Sequence, residues 1–247
     1  MTPHHVAGNH DSGLLIIVDH ASNHVPEDVD LGIPAELLGE HMAIDIGTWD
    51  LCHRLAERLS APALLATVSR LVVDLNREAD HNTIIPLRSD GHEIPGNIGL
   101  NDDERHARIA RFWHPYHDDI ARRITDYAPA MLVSLHSFTP SLRSDPDQKR
   151  PWQIGVLYNG DDRAARIAIP AFEAAGVVTG DNLPYSGKVL NATMNRHAEG
   201  NHMPYLGIEV RQDLISDPAG VERWADIIAP IIAETRNGVA SGRAFGT

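Results

Sequence analysis

Leu14-Leu15-Ile16-Ile17-Val18-Asp19-His20 is the stretch that decides the fold, because five apolar residues lead directly into an acid and a histidine. Three of the five are β-branched, and the loop-forming residues Ser22, Asn23 and Pro26 follow. A short continuous apolar run of this kind is typical of a fully buried strand in a parallel sheet. In open α/β sheets the functional side chains lie just beyond the carboxyl ends of the strands. We therefore expect His20 at the functional edge of the sheet.

Strand-like and helix-like segments alternate along the rest of the chain, which predicts an α/β fold. We expect a single domain over residues 1–247, with a mostly parallel, twisted sheet, helices on both faces and flexible tails at 1–12 and 237–247. Strands are predicted at 63–68, in the centre of 69–77, and at 131–136, 154–158, 177–179 and 206–211. Helices are predicted at 34–41, 45–59, 101–124 with a kink or break at Pro115, 161–175 and 217–235, and loops at 78–100, 139–151 and 183–204.

Composition excludes several classes of partner. The formal net charge of −13 argues against nucleic acid, whose binding needs a basic surface. No run approaches the ~20 apolar residues of a membrane span, and the N-terminal residues lack the apolar centre of a signal peptide. The single cysteine, Cys52, lies in a helical pattern, and we interpret it as a core thiol in a reducing cytoplasm.

Two histidines at predicted strand ends indicate a metal site. His20 and His136 each end an apolar run, and imidazole is the commonest protein ligand of zinc. The alternative is a pair of histidines that only form hydrogen bonds. A catalytic zinc site needs a third ligand. Asp45 opens the helix after the first strand and reaches the same edge, unless it serves only as the helix cap.

Other acids and histidines near the first strand suit the third position less well. His24 lies four residues after His20, but Asn23 and Pro26 place it in a loop rather than on a helix. Asp19 points away from His20 if the strand is regular, because successive side chains alternate between faces.

Charged residues on two further segments are candidates for catalysis and substrate binding. Glu209 and Arg211 lie two residues apart on the last strand, either as general base and substrate contact or as an ion pair. Arg70, Asn76 and Arg77 flank a strand-like segment, and such donors recognise carboxylates. Their alternative is a solvated strand end.

The motifs together resemble the N-formylglutamate amidohydrolase family. They occur in the expected order over residues 14–215 and are listed here: Asp19-His20-Ala21-Ser22, Asp45-Ile46-Gly47, Ser69-Arg70-Leu71 to Asn76-Arg77, Ser134-Leu135-His136-Ser137 and Gly207-Ile208-Glu209-Val210-Arg211. That family in turn resembles the zinc carboxypeptidases, with a phosphorylase/hydrolase-like fold. Deformylases proper tend to read Pro-His-Ser-Gly at the first motif, so this chain resembles a side branch with an open choice of substrate side chain.

The resemblance implies one Zn²⁺ per chain, held by His20 and His136. Asp45 is the third ligand we expect, although carboxypeptidases place an acidic ligand three residues after the first histidine, where this chain has Asn23. By this likeness Glu209 is the general base that activates a water whose pKa zinc lowers toward ~7.

The predicted activity is hydrolysis of an N-formyl or other N-acyl amino acid, such as N-formylglutamate. Arg70 helps zinc to stabilise the oxyanion, and Asn76 and Arg77 hold the α-carboxylate. Arg211 is a further substrate contact. The alternatives are a carboxypeptidase or peptidoglycan-type amidase with the same site, and a ligand-binding protein without turnover. An enclosed pocket would favour the small substrate, and an open groove a peptide.

Overall fold

A seven-stranded sheet forms the centre of the molecule in the computed structural model, which describes residues 2–242. Its order is β1-β3-β2-β6-β9-β7-β8, and β3, β2, β6 and β9 run parallel, whereas β1, β7 and β8 run in the opposite direction. β4 and β5 form a separate hairpin. In chain order the strands are β1 His4–Val6, β2 Leu14–Val18, β3 Ala63–Leu65, β4 Arg88–Ser89, β5 His92–Glu93, β6 Met131–Phe138, β7 Ile154–Leu157, β8 Thr179–Asp181 and β9 Tyr205–Arg211.

Helices cover both faces of this sheet. They are α1 Thr48–Leu59, α2 Asp102–Arg108, α3 His114–Tyr127, α4 Ala165–Ala174, α5 Ala192–His197 and α6 Pro218–Ala240. Side chains of β2 alternate between two apolar cores, because successive residues of a strand point to opposite faces. Leu14, Ile16 and Val18 pack toward α1, α4 and α6, and Leu15 and Ile17 pack toward α3 and α5. The predicted mostly parallel α/β fold is therefore confirmed.

The segment that reads as strand-like at 69–77 is a series of turns. The N–H of Val72 donates to the carbonyl of Ser69, and the N–H of Arg77 to that of Asp74. Leu71, Val72 and Val73 are fully buried, but they pack into the core from a turn and do not belong to a paired β-strand. Because β-branched residues in a short run suit any buried position, their pattern alone predicted a strand wrongly.

A further prediction needs correction. The loop predicted at 183–204 contains α5, a helix that is too short to show a helical period of apolar residues. The helix predicted over 101–124 contains a π-helical turn at Ile109–Trp113, which lies just before Pro115, the residue at which the sequence predicts a kink or break. The predicted N-terminus is confirmed, since Asn101 and Glu104 form a capping box.

The predicted flexible tails are also corrected. His4–Val6 pairs with β3, so the segment before Leu14 belongs to the sheet. Residues 237–240 continue α6, and residues 243–247 lie outside the described part of the chain. No helix within residues 2–242 is both long and apolar enough to cross a membrane.

Candidate metal centre and active site

The carboxyl ends of three neighbouring parallel strands bring the predicted site residues together. His20 follows β2, His136 lies in β6 and Glu209 lies in β9, where it pairs in register with His136. The loop before α1 joins them, because the N–H of Asp45 donates to the carbonyl of His20 over 3.0 Å. The sheet topology thus places residues from distant parts of the sequence around one point.

His20, Asp45 and His136 form a compact, buried cluster. Each offers one ligand atom, and these three atoms lie within 4.8 Å of one another. Oδ2 of Asp45 is 2.8 Å from Nδ1 of His136 and 3.4 Å from Nδ1 of His20. The three side chains are at most 7% exposed. Two imidazole nitrogens and one carboxylate are the ligand set of many catalytic zinc sites.

A second carboxylate lies near the far nitrogen of each histidine: Asp74 forms a hydrogen bond with His20, whereas Asp19 lies close to His136 without hydrogen-bond geometry. Oδ1 of Asp74 lies 2.7 Å from Nε2 of His20, and Oδ2 of Asp19 lies 3.3 Å from Nε2 of His136. When Nε2 of each ring carries the hydrogen, both Nδ1 lone pairs face Asp45. Metal-binding histidines almost always have such an outer partner, which fixes the tautomer and the ring orientation. The cluster therefore fits a divalent cation.

The charges of this cluster are strongly coupled. Burial raises the pKa of Asp45, but His20 and His136 outweigh it and hold that pKa well below its usual range. Burial lowers the pKa of both histidines, yet their carboxylate partners keep it above the ordinary value. Without a metal, protonated imidazoles supply the positive charge that the buried carboxylates require. A divalent cation between the same atoms would replace those protons.

Asp74 connects the candidate metal cluster to the predicted substrate-binding residues. Besides His20, it accepts a hydrogen bond from the terminal nitrogen of Arg70 at 3.1 Å and one from the backbone N–H of Asn76 at 3.0 Å. The other terminal nitrogen of Arg70 donates to Oδ1 of Asp45 at 3.2 Å. Burial opposes the ionisation of Asp74, but Arg70 and His20 hold its pKa well below the usual range. One carboxylate thus fixes three neighbouring groups.

Glu209 is buried beside the cluster, and one of its carboxylate oxygens accepts no hydrogen bond from residues 2–242. It is 7% exposed, and its Oε2 has no hydrogen-bond partner among residues 2–242. Burial raises the pKa of Glu209 to about 7, the charge of Asp45 adds to this effect, and the charges of His136 and Arg70 oppose it. A carboxyl with a pKa near neutrality can both accept and return a proton at physiological pH.

Arg211 is not at the site. Its guanidinium pairs with Asp213 at 2.7 Å, and Arg211 is not among the residues that line the cavity. The alternative of a Glu209–Arg211 ion pair is therefore wrong, and so is the expectation that Arg211 contacts the substrate. The 3₁₀ turn that follows β9 at Gln212–Leu214 brings Asp213 back to the arginine, which a regular strand pattern does not reveal.

A cavity of about 270 Å³ opens directly onto Glu209 and the cluster. Asn76 and Arg77 line it, as predicted, and Oδ1 of Asn76 accepts the N–H of Thr193, which leaves the amide nitrogen of Asn76 as its donor. Among residues 2–242, the carboxylate that pairs with Arg77 is that of Asp74, whose Oδ2 lies 3.9 Å from Nε of Arg77. Both side chains are therefore available to an anionic ligand.

Hydrogen bonds to Asp90 join two loops along one wall of the cavity. Asp90, at the tip of the β4–β5 hairpin, accepts the N–H groups of Arg143 and Ser144 at 3.0 and 2.9 Å and the hydroxyl of Ser144 at 2.7 Å. His41 lies 3.1 Å from the same carboxylate. Asp90 and Ser144 both line the cavity. The predicted loops 78–100 and 139–151 thus meet at this wall of the cavity.

The structure also separates the candidates for the third ligand position by their distance from the two histidines. Gly47 caps α1, so the side chain of Asp45 does not serve as the helix cap. His24 and Asn23 are exposed and do not join the cluster. Asp19 does point away from His20, but the sequence reasoning missed that it reaches His136 on the neighbouring strand. It also missed Asp74, although the spacing of Asp74 to Arg70 is that of an ion pair.

Comparisons with known proteins show what the chain is similar to. A 140-residue part of the chain is 29% identical to N-formylglutamate deformylase of Pseudomonas aeruginosa, and the match covers 50% of this chain. It covers 51% of that protein, so the chain spans about half the length of the curated relative it matches.

Two crystal structures resemble the whole fold. A gene product of Agrobacterium tumefaciens superposes with a TM-score of 0.87 at 28% identity, over 99% of this chain and 96% of that one. N-formylglutamate amidohydrolase from Ralstonia eutropha JMP134 superposes with a TM-score of 0.69 at 17% identity, over 93% and 94% of the two chains, which is a likeness of fold. The N-formylglutamate amidohydrolase family model matches residues 12–216, the span that carries the whole cluster, and the chain belongs to this family.

Proposed function

We propose that this protein is a zinc-dependent amidohydrolase that cleaves the amide bond of an N-formyl or other N-acyl amino acid, such as N-formylglutamate. The observation that carries the proposal is the unpaired carboxylate oxygen of Glu209 beside the His20–Asp45–His136 cluster. Family membership and the likeness to a deformylase support the same reaction class. Its cytoplasmic location is a proposal too, supported by the buried free thiol of Cys52.

His20, Asp45 and His136 would hold one zinc ion per chain. When bound there, zinc supplies Lewis-acid chemistry, in which it lowers the pKa of water and polarises a carbonyl oxygen. The chain itself prepares this site by orienting both imidazoles through Asp74 and Asp19.

Glu209 is the proposed general base and then the general acid. Its pKa of about 7 allows it to accept a proton from the attacking water at neutral pH. The protonated carboxyl then returns this proton to the nitrogen of the leaving amine. Because Oε2 has no partner within the described chain, no existing hydrogen bond has to break before the first transfer.

Asn76, Arg77 and Arg70 have separate proposed roles. Arg77 and the amide nitrogen of Asn76 bind the α-carboxylate of the amino-acid part, since both line the cavity and both have donors free of a close carboxylate. Arg70 donates to Asp45 and Asp74, so its contribution is fixed positive charge near the reacting carbonyl. That charge favours the oxyanion over the neutral amide.

The shape of the cavity favours a small substrate over a polymer. A carboxypeptidase or a peptidoglycan-type amidase needs an open groove, whereas the Asp90–Ser144 hydrogen bonds join two loops into a wall on one side of this cavity. A binding protein without turnover has no use for a buried, unpaired carboxyl, because leaving a polar group without a partner costs stability. These two alternatives are therefore disfavoured.

Metal analysis followed by a substrate screen tests the proposal. Purified protein should contain one zinc ion per chain, and His136→Ala should lose it, while the exposed His24→Ala should keep it. The zinc-loaded enzyme should then hydrolyse N-formyl amino acids faster than peptides or muropeptides with the same terminal residue. Preference for a peptide, or a parent protein that binds no metal, would contradict the proposal.

A further inference from the structure

Arg150 is a buried cation with no anion beside it. The residue is 5% exposed, and its guanidinium donates to Oε1 of Gln148, to the carbonyl of Thr139 and to the hydroxyl of Tyr185. No carboxylate among residues 2–242 forms an ion pair with it. Since a buried charge without a counter-ion is costly, this arrangement calls for an explanation beyond packing.

Tyr185 connects this charge to the active-site cavity. The guanidinium of Arg150 lies 4.9 Å from the centre of the tyrosine ring, and one of its nitrogens donates to the hydroxyl oxygen over 3.0 Å. A phenol has a single O–H hydrogen. Because its oxygen accepts from Arg150, that hydrogen points elsewhere, and it has no acceptor within residues 2–242. Tyr185 lines the cavity, so a ligand there is the available acceptor.

The backbone places Tyr185 beside the reacting end of the cavity. Gly155 of β7 pairs in register with Glu209 of β9. The carbonyl oxygen of Leu183 lies only 2.4 Å from the position that a Cβ on Gly155 would occupy. Glycine at 155 thus lets the segment before Tyr185 lie directly over the strand next to Glu209.

The charges around the hydroxyl keep it protonated. Burial raises the pKa of Tyr185 and the negative charge of Glu209 adds to this, while the hydrogen bond and charge of Arg150 and the charge of Arg70 lower it. The group is therefore a neutral donor, strengthened by the adjacent guanidinium.

A further hydrogen-bond donor for the oxyanion is required, because the terminal nitrogens of Arg70 already pair with other groups. Its two terminal nitrogens bind Asp45 and Asp74. A hydrogen-bond donor aimed at the developing oxyanion is worth more than a charge held by other partners, since it requires no reorganisation during the reaction.

We propose that Tyr185 is a catalytic residue that donates its hydroxyl hydrogen to the carbonyl oxygen of the scissile amide as this oxygen becomes an oxyanion. Arg150 is the positioning residue that aims and polarises the hydroxyl. The hydrogen stays on Tyr185 throughout, so no proton is transferred. This inference rests on the proposed amide hydrolysis and adds a residue to it.

The first test is Tyr185→Phe in the zinc-loaded enzyme. Turnover should fall by ~10²-fold, the usual effect of losing one oxyanion donor, while KM, zinc content and melting temperature stay close to those of the parent. Tyr158→Phe is the matched control, because Arg166 lies 4.9 Å from its ring in the same way. Tyr158 lies outside the cavity and its hydroxyl already donates to Asp181 at 2.6 Å, so turnover should be unchanged.

Arg150→Gln tests the positioning role. It should lower turnover in the parent but cause little further loss in the Tyr185→Phe background, and Arg150→Lys should restore part of the activity. Equal losses in both backgrounds would mean that Arg150 acts only on stability. A binding measurement gives a second readout, since Tyr185→Phe should weaken a tetrahedral phosphonate analogue at least tenfold and leave binding of the amino-acid product unchanged.

The outcomes separate this inference from the proposed function. If the parent hydrolyses no N-acyl amino acid, the proposed function fails. If the parent is active and Tyr185→Phe raises KM without lowering turnover, Tyr185 binds the substrate carboxylate and the oxyanion role is wrong. Near-parental turnover and analogue affinity in Tyr185→Phe would also overturn it.

Discussion

Replacing Glu209 by glutamine should stabilise the metal-free protein at alkaline pH and abolish most of its activity. In the unfolded chain the carboxyl has an ordinary pKa of 4.5, whereas in the folded protein burial raises it to about 7. As pH rises from 4.5 to 7 the unfolded chain releases its proton first, so stability falls over this interval. At pH 8 the difference costs the folded state about 3 kcal/mol, at about 1.36 kcal/mol per pKa unit.

Glutamine has no proton to release and escapes this cost. Melting curves of the metal-free proteins should therefore show Glu209→Gln more stable than the parent at pH 8 by up to about 6–12 °C, with the advantage vanishing near pH 4.5. With zinc bound, turnover should fall by ~10²–10⁴. The exposed Glu57→Gln should change neither quantity. A Glu209→Gln protein that is less stable at pH 8, or that retains near-parental turnover, would refute the assignment of Glu209 as a buried base.

Three further substitutions probe the remaining groups. Asp45→Asn should weaken zinc binding at least tenfold, whereas Asp217→Asn, at a true helix cap, should leave both zinc binding and stability almost unchanged because asparagine caps about as well; equal zinc affinities in a competition titration would remove Asp45 from the ligand set. Asp74→Asn should weaken zinc binding by ~10–100-fold without removing a ligand, and an unaltered dissociation constant would show that the outer carboxylate is dispensable. Converting the α-carboxylate of the substrate to an amide should reduce kcat/KM strongly in the parent and little further in Arg77→Ala, and the pairing is wrong if both enzymes lose the same factor.

The residues of the inner site could be predicted from the sequence, because apolar runs make the ends of buried strands easy to identify. Apolar runs locate β2 and β6, and the residues that follow in a parallel sheet must meet at one edge, which placed His20 and His136 together. Glu209 was found for the same reason, since an acid inside an apolar run needs a partner or a function. These inferences depend only on local pattern and on a general rule of topology.

The outer part depends on contacts that local pattern does not encode. Asp19 reaches a histidine on another strand, and Asp74 lies in a turn that reads as a strand. Arg211 bends back to Asp213 because a helical turn follows the strand at once. Arg150 and Tyr185 come from two loops whose meeting is set by tertiary packing. The sequence therefore did not predict which side chains from different loops contact each other.

The position of Asp74 constrains how this protein could change during evolution. Its one carboxylate contacts His20, Arg70 and the backbone of Asn76, so the proposed metal affinity and carboxylate recognition would not change independently. Substitutions around it should be strongly non-additive. New substrate preferences are easier to acquire at Met42 and Leu142, which line the cavity and share no hydrogen bond with Asp74. Residues of the cavity wall such as Met42 and Leu142 can therefore be substituted during evolution, while the groups that contact Asp74 have to change together.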